Sequence, residues 1–193
     1  MLQQLHYFGA DVKRLVGKQP LRYLLVWLTR QFWGLFAYRF DRGMHLVFGK
    51  AYRYIRLPFF PLFTLWQVYS NMEIGYKANI GPGIKVLHPG NGITISELAI
   101  IGKNLTMIGG NIIGGNRNCK PGEIKIGDGC YLSANATIIG PIELGNQVII
   151  GANACAVSNF AAGNITLVGV PARPIVRSKP AIRQEPRLPQ QDS

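Results

Sequence analysis

The residue with the clearest chemical potential in this 193-residue chain is His88, in the stretch KVLHPGNGITI of residues 85–95. Histidine titrates near neutral pH and is the side chain most often used to move a proton in catalysis. Here it stands with Pro89, Gly90 and Gly92 inside a run of isoleucines and valines that is otherwise typical of buried strands. The first hypothesis is therefore acid–base chemistry at an interruption of a structural pattern.

Metal chemistry has little support in the sequence. His6 and His45 lie in the N-terminal third, so no second histidine accompanies His88 in the part of the chain that contains it. The three cysteines lack the C-x-x-C spacing of a zinc site or a paired disulfide framework: Cys119, Cys130 and Cys155. A γ-class carbonic anhydrase requires three histidines around zinc and is excluded; we expect no metal.

Aliphatic residues recur at every sixth position through most of residues 74–156. The thirteen positions are Ile74, Ile80, Val86, Ile95, Ile101, Met107, Ile113, Ile126, Leu132, Ile138, Leu144, Ile150 and Ala156. This period matches neither a helix nor a simple alternating strand, and glycine often follows the aliphatic residue. Three such hexads make one coil of short strands joined by tight corners. The predicted fold is a mainly β, left-handed parallel β-helix of hexapeptide repeats.

The repeat is interrupted twice, and these are the places where function is expected. Between Val86 and Ile95 the step is nine residues, and the surplus contains His88. Between Ile113 and Ile126 the step is thirteen, and the expanded segment includes GGNRNCKPGEIK at residues 114–125.

Three motifs in residues 73–173 carry a resemblance to a known family. They are His88 with Gly90, Gly92 and the strand Ile93-Thr94-Ile95; the pair Gly114-Gly115; and VGVPA at residues 168–172. As a set they resemble the catalytic domain of the serine acetyltransferases and of related enzymes that O-acetylate sugars of bacterial exopolysaccharides. The resemblance implies a homotrimer and acetyl-CoA as the acyl donor.

The resemblance also implies roles for individual residues. His88 would be the general base, and Glu73, fifteen positions upstream, would orient it. Gly114 is a candidate oxyanion contact next to the cofactor. The candidates for binding coenzyme A are four small corner residues and one cation: Ser133, Ala134, Gly151, Ala152 and Arg173. The candidates for binding the substrate or a phosphate are an amide and two cations: Asn91, Arg117 and Lys120.

The acceptor is the least determined part of the prediction. Serine acetyltransferases carry a second histidine in the expanded segment, whereas this chain has Lys120 there. We therefore expect a sugar or polysaccharide hydroxyl as the main acceptor. Serine O-acetylation, N-acetylation of an amino sugar and a non-catalytic scaffold are the alternatives.

The N-terminal third differs from the repeat in charge. Residues 1–70 carry ten Lys/Arg against two acids, interleaved with bulky apolar residues, out of a net charge of +12 for the chain. This pattern favours a membrane surface over nucleic acid, and no apolar run reaches the ~20 residues of a spanning helix. We expect a cytoplasmic protein with three parts: helices over 1–70, in contact with the inner membrane face or packed on the trimer; an acyltransferase domain over 71–173; and a flexible tail over 174–193.

Overall fold

The computed structural model describes residues 1–175, which form a layer of helices at one end of a parallel β-solenoid of about five turns. The helices of the layer are α1 (Leu2–Val16), α2 (Arg30–Phe48), α3 (Tyr52–Ile55) and α4 (Phe60–Ser70). Short 3-10 helices lie at Pro20–Leu24, Val26–Leu28, Gly49–Ala51, Leu57–Phe59 and Pro89–Asn91.

The solenoid is built from fifteen short strands in three sheets. In chain order they are β1 (Met72–Ile74), β2 (Asn79–Ile80), β3 (Lys85–Val86), β4 (Ile93–Ile95), β5 (Ala99–Ile101), β6 (Thr106–Met107), β7 (Asn111–Gly115), β8 (Ile124–Ile126), β9 (Tyr131–Leu132), β10 (Thr137–Gly140), β11 (Ile142–Leu144), β12 (Ile149–Ile150), β13 (Cys155–Ala156), β14 (Thr166–Val168) and β15 (Arg173–Pro174). The first sheet contains β1, β4, β7, β10 and β13; the second contains β2, β5, β8 and β11; the third contains β3, β6, β9, β12, β14 and β15. All pairs are parallel except β14 with β15.

The strand register shows the two interruptions as extra residues in single turns. Ile126 pairs with Leu144, eighteen residues later, which is the length of three hexads. Ile80 instead pairs with Ile101, twenty-one residues later, because the turn between them contains the His88 segment. Ile101 pairs with Ile126, twenty-five residues later, because the second insertion lies between them.

The aliphatic positions of the repeat form the core. All thirteen are buried, with exposed fractions from 0% to 7%, and they belong to one continuous cluster with Leu35 and Tyr38 of α2. A side chain at every sixth position therefore points to the solenoid axis, as the period predicted. The predicted parallel β-helix with an N-terminal helical segment is confirmed.

A buried ion pair joins the helical layer to the first turn of the solenoid. Arg39 donates to Asp11 at 2.8 Å and to the carbonyls of Ile80 and Gly81, each at 2.7 Å. Asp11 accepts from the amides of Gly83 and Ile84. Burial raises the pKa of the Asp11 carboxyl, and the ion pair and both amide bonds oppose that rise. Each charge is thus matched by several partners, which a buried pair requires in order to be tolerated.

The helices end at Ser70 and the first strand begins at Met72. At the other end, Pro174 belongs to β15 and the Ile175 amide donates to the Thr166 carbonyl, so these two residues continue the solenoid instead of starting a tail. The rest of the predicted flexible tail lies outside the described residues. Within residues 1–175, none of the helices combines the length and the hydropathy needed to span a bilayer.

Candidate active site

His88 lies on the edge of the solenoid where the chain passes from the third sheet to the first. We call this the histidine edge, and we call residues Leu87–Gly92, which join β3 to β4, loop one. The His88 side chain is exposed, and so is Asn91, which ends the short helix Pro89–Asn91. An exposed imidazole on an otherwise well-ordered corner is free to meet a bound molecule.

Loop one is held from two sides. Within the solenoid, the His88 amide donates to the Ile108 carbonyl at 2.8 Å. From the helical layer, Gln31 donates to the Leu87 carbonyl at 3.0 Å and Asn71 donates to the Gly90 carbonyl at 2.8 Å. The helices therefore fix the backbone on both sides of His88, a role that sequence reasoning missed.

The corner beside His88 is made of glycine. Gly109 has φ +145°, and a Cβ placed on it would collide with the carbonyl oxygen of His88. Buried Asn111 supports this corner, since its side chain accepts from the Gly109 amide at 3.0 Å and donates to the Ser133 carbonyl at 2.6 Å. Neither residue was predicted. The available signal was a polar residue at 111, whose strand partner Ile93 is a buried aliphatic.

The four small residues predicted for coenzyme A lie on the histidine edge, in two corners directly above one another. Ser133 and Ala134 follow β9, and Gly151 and Ala152 follow β12. The Asn153 amide donates to the Ala134 carbonyl, and the Asn135 amide donates to the Gly109 carbonyl. Successive corners are about 4.8 Å apart in a parallel stack, so the column from loop one to Ala152 spans roughly 14 Å. It offers a narrow strip of small side chains and backbone that ends at an imidazole.

Arg173 lies at the far end of the solenoid. It is exposed on β15 and pairs with Val168 of the third sheet. The Ala172 amide donates to the Cys155 carbonyl, so the VGVPA segment turns back across the last corner of the histidine edge. Arg173 therefore lies beyond the Gly151–Ala152 corner, at the end of the strip opposite His88.

The predicted pair of Glu73 and His88 is not formed in this chain. Glu73 is exposed on β1 and pairs with Thr94 on the neighbouring turn. No side-chain hydrogen bond or ion pair within residues 1–175 joins it to His88. The spacing argument assumed a turn of about eighteen residues, but this turn has twenty-one, which changes where a residue fifteen positions upstream lies.

Gly114, the predicted oxyanion contact, lies in a strand and not at a corner. It is inside β7 and pairs with Ile139 of β10. A backbone amide within a paired strand is a weaker candidate for an oxyanion contact than an amide at an open corner. Gly109 and Gly110 are the glycine corner next to His88.

The second insertion lies on a different edge, where the first sheet leads to the second. We call residues Asn116–Glu123 loop two; it joins β7 to β8 and carries Arg117 and Lys120, both exposed. Its backbone bonds to Gly140 and Leu98 of the adjoining turns. Within one chain the first sheet separates these cations from His88, so the structure does not bring the two groups together.

Two of the three thiols, those of Cys119 and Cys130, are not activated as nucleophiles. Burial, together with nearby Glu123, raises the pKa of Cys119 on loop two. Burial also raises the pKa of Cys130, which is in the solenoid core. Both thiols are protonated at neutral pH, and a thiolate is what covalent catalysis by cysteine requires. No group of residues suited to hold a metal ion occurs within residues 1–175.

Comparison with known proteins points to one family. Residues 123–155 match the model "Bacterial transferase hexapeptide (six repeats)". Serine acetyltransferase 5 of Arabidopsis thaliana is 39% identical over 70 residues, which is 36% of this chain and only 22% of that relative. The serine acetyltransferase of Neisseria gonorrhoeae superposes with a TM-score of 0.74 at 29% identity, over 92% of this chain and 68% of that one. This chain contains hexapeptide repeats and is similar to proteins of the serine acetyltransferase type.

The match to this serine acetyltransferase type extends over both parts of the described chain, because the superposition includes the helical layer as well as the solenoid. A serine acetyltransferase solved in complex with CoA has the same fold, with a TM-score of 0.67 at 22% identity over 90% of this chain and 70% of that one. The hexapeptide family model covers the corners at Ser133 and Gly151, whereas loop one lies outside it.

Proposed function

We propose that this protein is an acetyl-CoA-dependent O-acetyltransferase with His88 as the general base. The observation that carries the proposal is the exposed imidazole at one end of the strip of small residues on the histidine edge. The similar proteins are serine acetyltransferases, and one of them has been solved with CoA.

The chemistry needs one base and no covalent intermediate. His88 takes the proton of the acceptor hydroxyl as its oxygen attacks the thioester carbonyl. The tetrahedral oxyanion then collapses, the carbon–sulfur bond breaks, and the imidazolium returns the proton to the leaving thiolate. The amides of Gly109 and Gly110 donate to Asn111 and to the Gly92 carbonyl, so neither is free to stabilise the oxyanion. Glu73 can orient His88 only after a side-chain rearrangement, so its role stays a prediction.

L-serine is the acceptor with the better support, and this changes the main expectation from sequence. Both the curated relative and the similar structures are serine acetyltransferases, and none of these comparisons supports an exopolysaccharide acceptor. The cations Arg117 and Lys120 of loop two suit the carboxylate of an amino acid, which a neutral sugar lacks. A sugar hydroxyl is kept as the second candidate because loop two has Lys120 where the family resemblance implied a histidine.

A homotrimer would bring together what one chain keeps apart. Apolar side chains are exposed on the outer faces of all three sheets, including Ile100, Ile112 and Ile149, with exposed fractions of 39% to 45%. Contact between such faces would let loop two of one subunit approach the histidine edge of its neighbour. We propose that this assembly, in the cytoplasm, is the form in which Asn91, Arg117 and Lys120 contact the substrate. Light scattering of the full chain measures the mass of the assembly.

The deciding experiment follows release of the CoA thiol from acetyl-CoA with L-serine, with neutral mono- and oligosaccharides, and with amino sugars. Acceptor-dependent release with L-serine supports the proposal. Release of the thiol only with a sugar or an amino sugar would show that this compound, and not L-serine, is the acceptor. A folded protein that binds acetyl-CoA but releases no thiol with any acceptor would contradict it and would favour the scaffold alternative.

A further inference from the structure

The exposed charges of the helical layer are all positive. Its two acids are buried: Asp11 is fully buried against Arg39, and Asp41, at 5% exposed, accepts from Tyr52 and Arg56. The exposed cations are Lys13, Lys18, Arg22, Arg30, Lys50 and Arg53. Because both acids are buried, the exposed surface of the layer is positively charged, and no exposed carboxylate of the layer offsets that charge.

Between these cations the layer exposes a group of large apolar side chains, which we call the Leu/Trp patch. It consists of Leu21, Tyr23, Leu24, Leu25, Trp27 and Leu28, with exposed fractions of 48% to 74%. These residues occupy two consecutive 3-10 helices and Leu25, the residue that joins them, so they adjoin one another in space. Single exposed apolar residues are ordinary, but a contiguous patch of this kind marks an interaction site.

The patch is held in place and is not a loosely collapsed segment. Val26 is the one buried side chain of the two short helices and packs with Leu15 and Val16 of α1. The Trp27 indole donates to the Leu24 carbonyl, and the Trp33 indole donates to the Trp27 carbonyl, both at 2.7 Å. With Val26 turned inward and the backbone fixed, the leucines around it stay exposed to solvent, with exposed fractions of 55% to 74%.

Helix α4 extends the apolar surface of the layer. It contains no charged residue, and its exposed side chains include Phe60, Leu65 and Val68, at 57%, 66% and 75%. Its polar side chains are those of Thr64, Gln67, Tyr69 and Ser70. A largely apolar helix of this kind is usually covered by protein or lipid. At eleven residues it is too short to cross a bilayer, which needs ~20.

The charge distribution decides between two occupants of this surface. A second copy that packed its helical layer against this one would place positive charge opposite positive charge, and like charges across an interface oppose association. An anionic bilayer offers the opposite charge to Lys18 and Arg22 and an apolar interior to the leucines and Trp27 between them. We propose that the Leu/Trp patch and its flanking cations bind the protein peripherally to an anionic membrane surface.

Membrane contact would also hold the candidate site near the bilayer. Loop one is hydrogen-bonded to Gln31 in the first turn of α2, three residues after Leu28 of the patch. The binding proposal does not rest on the proposed enzymatic function, since flotation and thiol release are measured separately and either can fail alone.

The test is flotation of the purified full chain with vesicles of phosphatidylcholine mixed with phosphatidylglycerol, and with vesicles of phosphatidylcholine alone. We expect the protein to float with the anionic vesicles, to float weakly or not at all with the neutral ones, and to be released by added salt. Protein that stays at the bottom with both vesicle types overturns the proposal.

Two exposed double variants separate the two contributions. Lys18→Gln with Arg22→Gln should weaken binding to anionic vesicles by roughly fivefold for each cation removed. Leu21→Gln with Leu24→Gln should reduce binding to the anionic vesicles, because the apolar insertion is lost while the charge is kept. The matched control is Lys103→Gln with Lys125→Gln, two exposed cations on the solenoid, which should float like the unchanged protein.

Light scattering of the same proteins without lipid distinguishes the rival occupant. If the patch binds lipid, the leucine variant keeps the mass of the unchanged protein. If that variant instead lowers the mass while flotation is unaffected, a second copy covers the patch and the proposal is wrong. Equal loss of flotation in the solenoid control would likewise overturn it, because binding would then be nonspecific attraction to a basic protein.

Discussion

Loop one and loop two both interrupt the six-residue repeat, but they are stabilised in different ways. Loop two bonds to adjoining turns of the solenoid and to itself, as where the Lys120 amide donates to Glu123 at 2.8 Å. Loop one is shorter, yet it is also bonded to Gln31 and Asn71 of the helical layer. The comparison indicates that the position of His88 depends on both the solenoid and the helical layer, whereas loop two depends on the solenoid alone.

The largest difference in activity between the two loops should appear when the functional side chain of each loop is replaced by alanine. His88→Ala should lower acceptor-dependent CoA release by about 10²- to 10⁴-fold, the usual contribution of a general base. Lys120→Ala should mainly raise the KM for the acceptor, by no more than about tenfold, since a cation that holds substrate does not transfer the proton. His6→Ala on α1 is the matched control and should be silent. Unchanged turnover in His88→Ala would remove this residue from the mechanism.

A second pair of variants compares the glycines of the two regions. Gly109→Ala and Gly122→Ala both place a side chain at positive φ, +145° and +85°, so each should destabilise the fold by about 1–3 kcal/mol. Only at Gly109 does the new Cβ meet the His88 backbone; at Gly122 it would reach only the tip of Ile100, at 3.4 Å. We expect kcat of the folded protein to fall in Gly109→Ala and to be kept in Gly122→Ala. Equal kcat in both would show that the corner does not position His88.

The support of loop one by the layer can be weakened without straining the backbone. Asn71 has φ 55°, so Asn71→Gly keeps the conformation and removes only the amide that donates to Gly90. Stability should change by less than about 1 kcal/mol because the bond is exposed. We expect kcat to fall by about two- to fivefold as loop one loosens. Asn104→Gly, at φ 59° on another edge, is the control, and an equal fall in that variant would contradict the interpretation.

The sequence predicted the parts of the fold that repeat. A buried position every six residues is visible in the letters because each turn of the solenoid imposes the same demand, and the surplus at His88 stands out against it. What could not be read was the spatial consequence of an insertion. The three extra residues lengthen one turn to twenty-one residues, so Glu73 pairs with Thr94, six positions after His88, and no side-chain hydrogen bond joins Glu73 to His88 within the described residues.

Contacts between distant segments were also invisible to the repeat. Gln31 belongs to the helical layer and Asn71 caps its last helix, and neither shows a pattern that relates it to loop one. Loop two lies on the edge that follows the first sheet because β7 belongs to that sheet. The length of the insertion does not indicate which edge it lies on. Asn111 was readable in principle, because a polar residue there occupies a position where the preceding turn has buried Ile93.

The smallest expected effect is a loss of stability of the helical layer in mild acid, which should also loosen loop one. Burial lowers the pKa of His45 on α2, and the nearby cations Arg42 and Lys77 lower it further. Its Nδ1 atom is buried and has no hydrogen-bond partner within the described residues. The folded state therefore resists protonating this ring. The stabilisation is fully present above the ordinary histidine pKa of about 6.5 and is lost as the pH falls through the lowered value of the folded state.

His45→Gln should flatten this part of the stability profile, measured by denaturant unfolding from neutral pH down to mild acid, whereas His6→Gln should leave the slope unchanged. Hydrogen exchange then connects the effect to the two loops. Because only loop one is bonded to the layer, its amides should lose protection in mild acid before those of loop two, and His45→Gln should narrow the gap. Simultaneous loss of protection in both loops would mean that loop one does not depend on the layer, and that the solenoid alone positions His88.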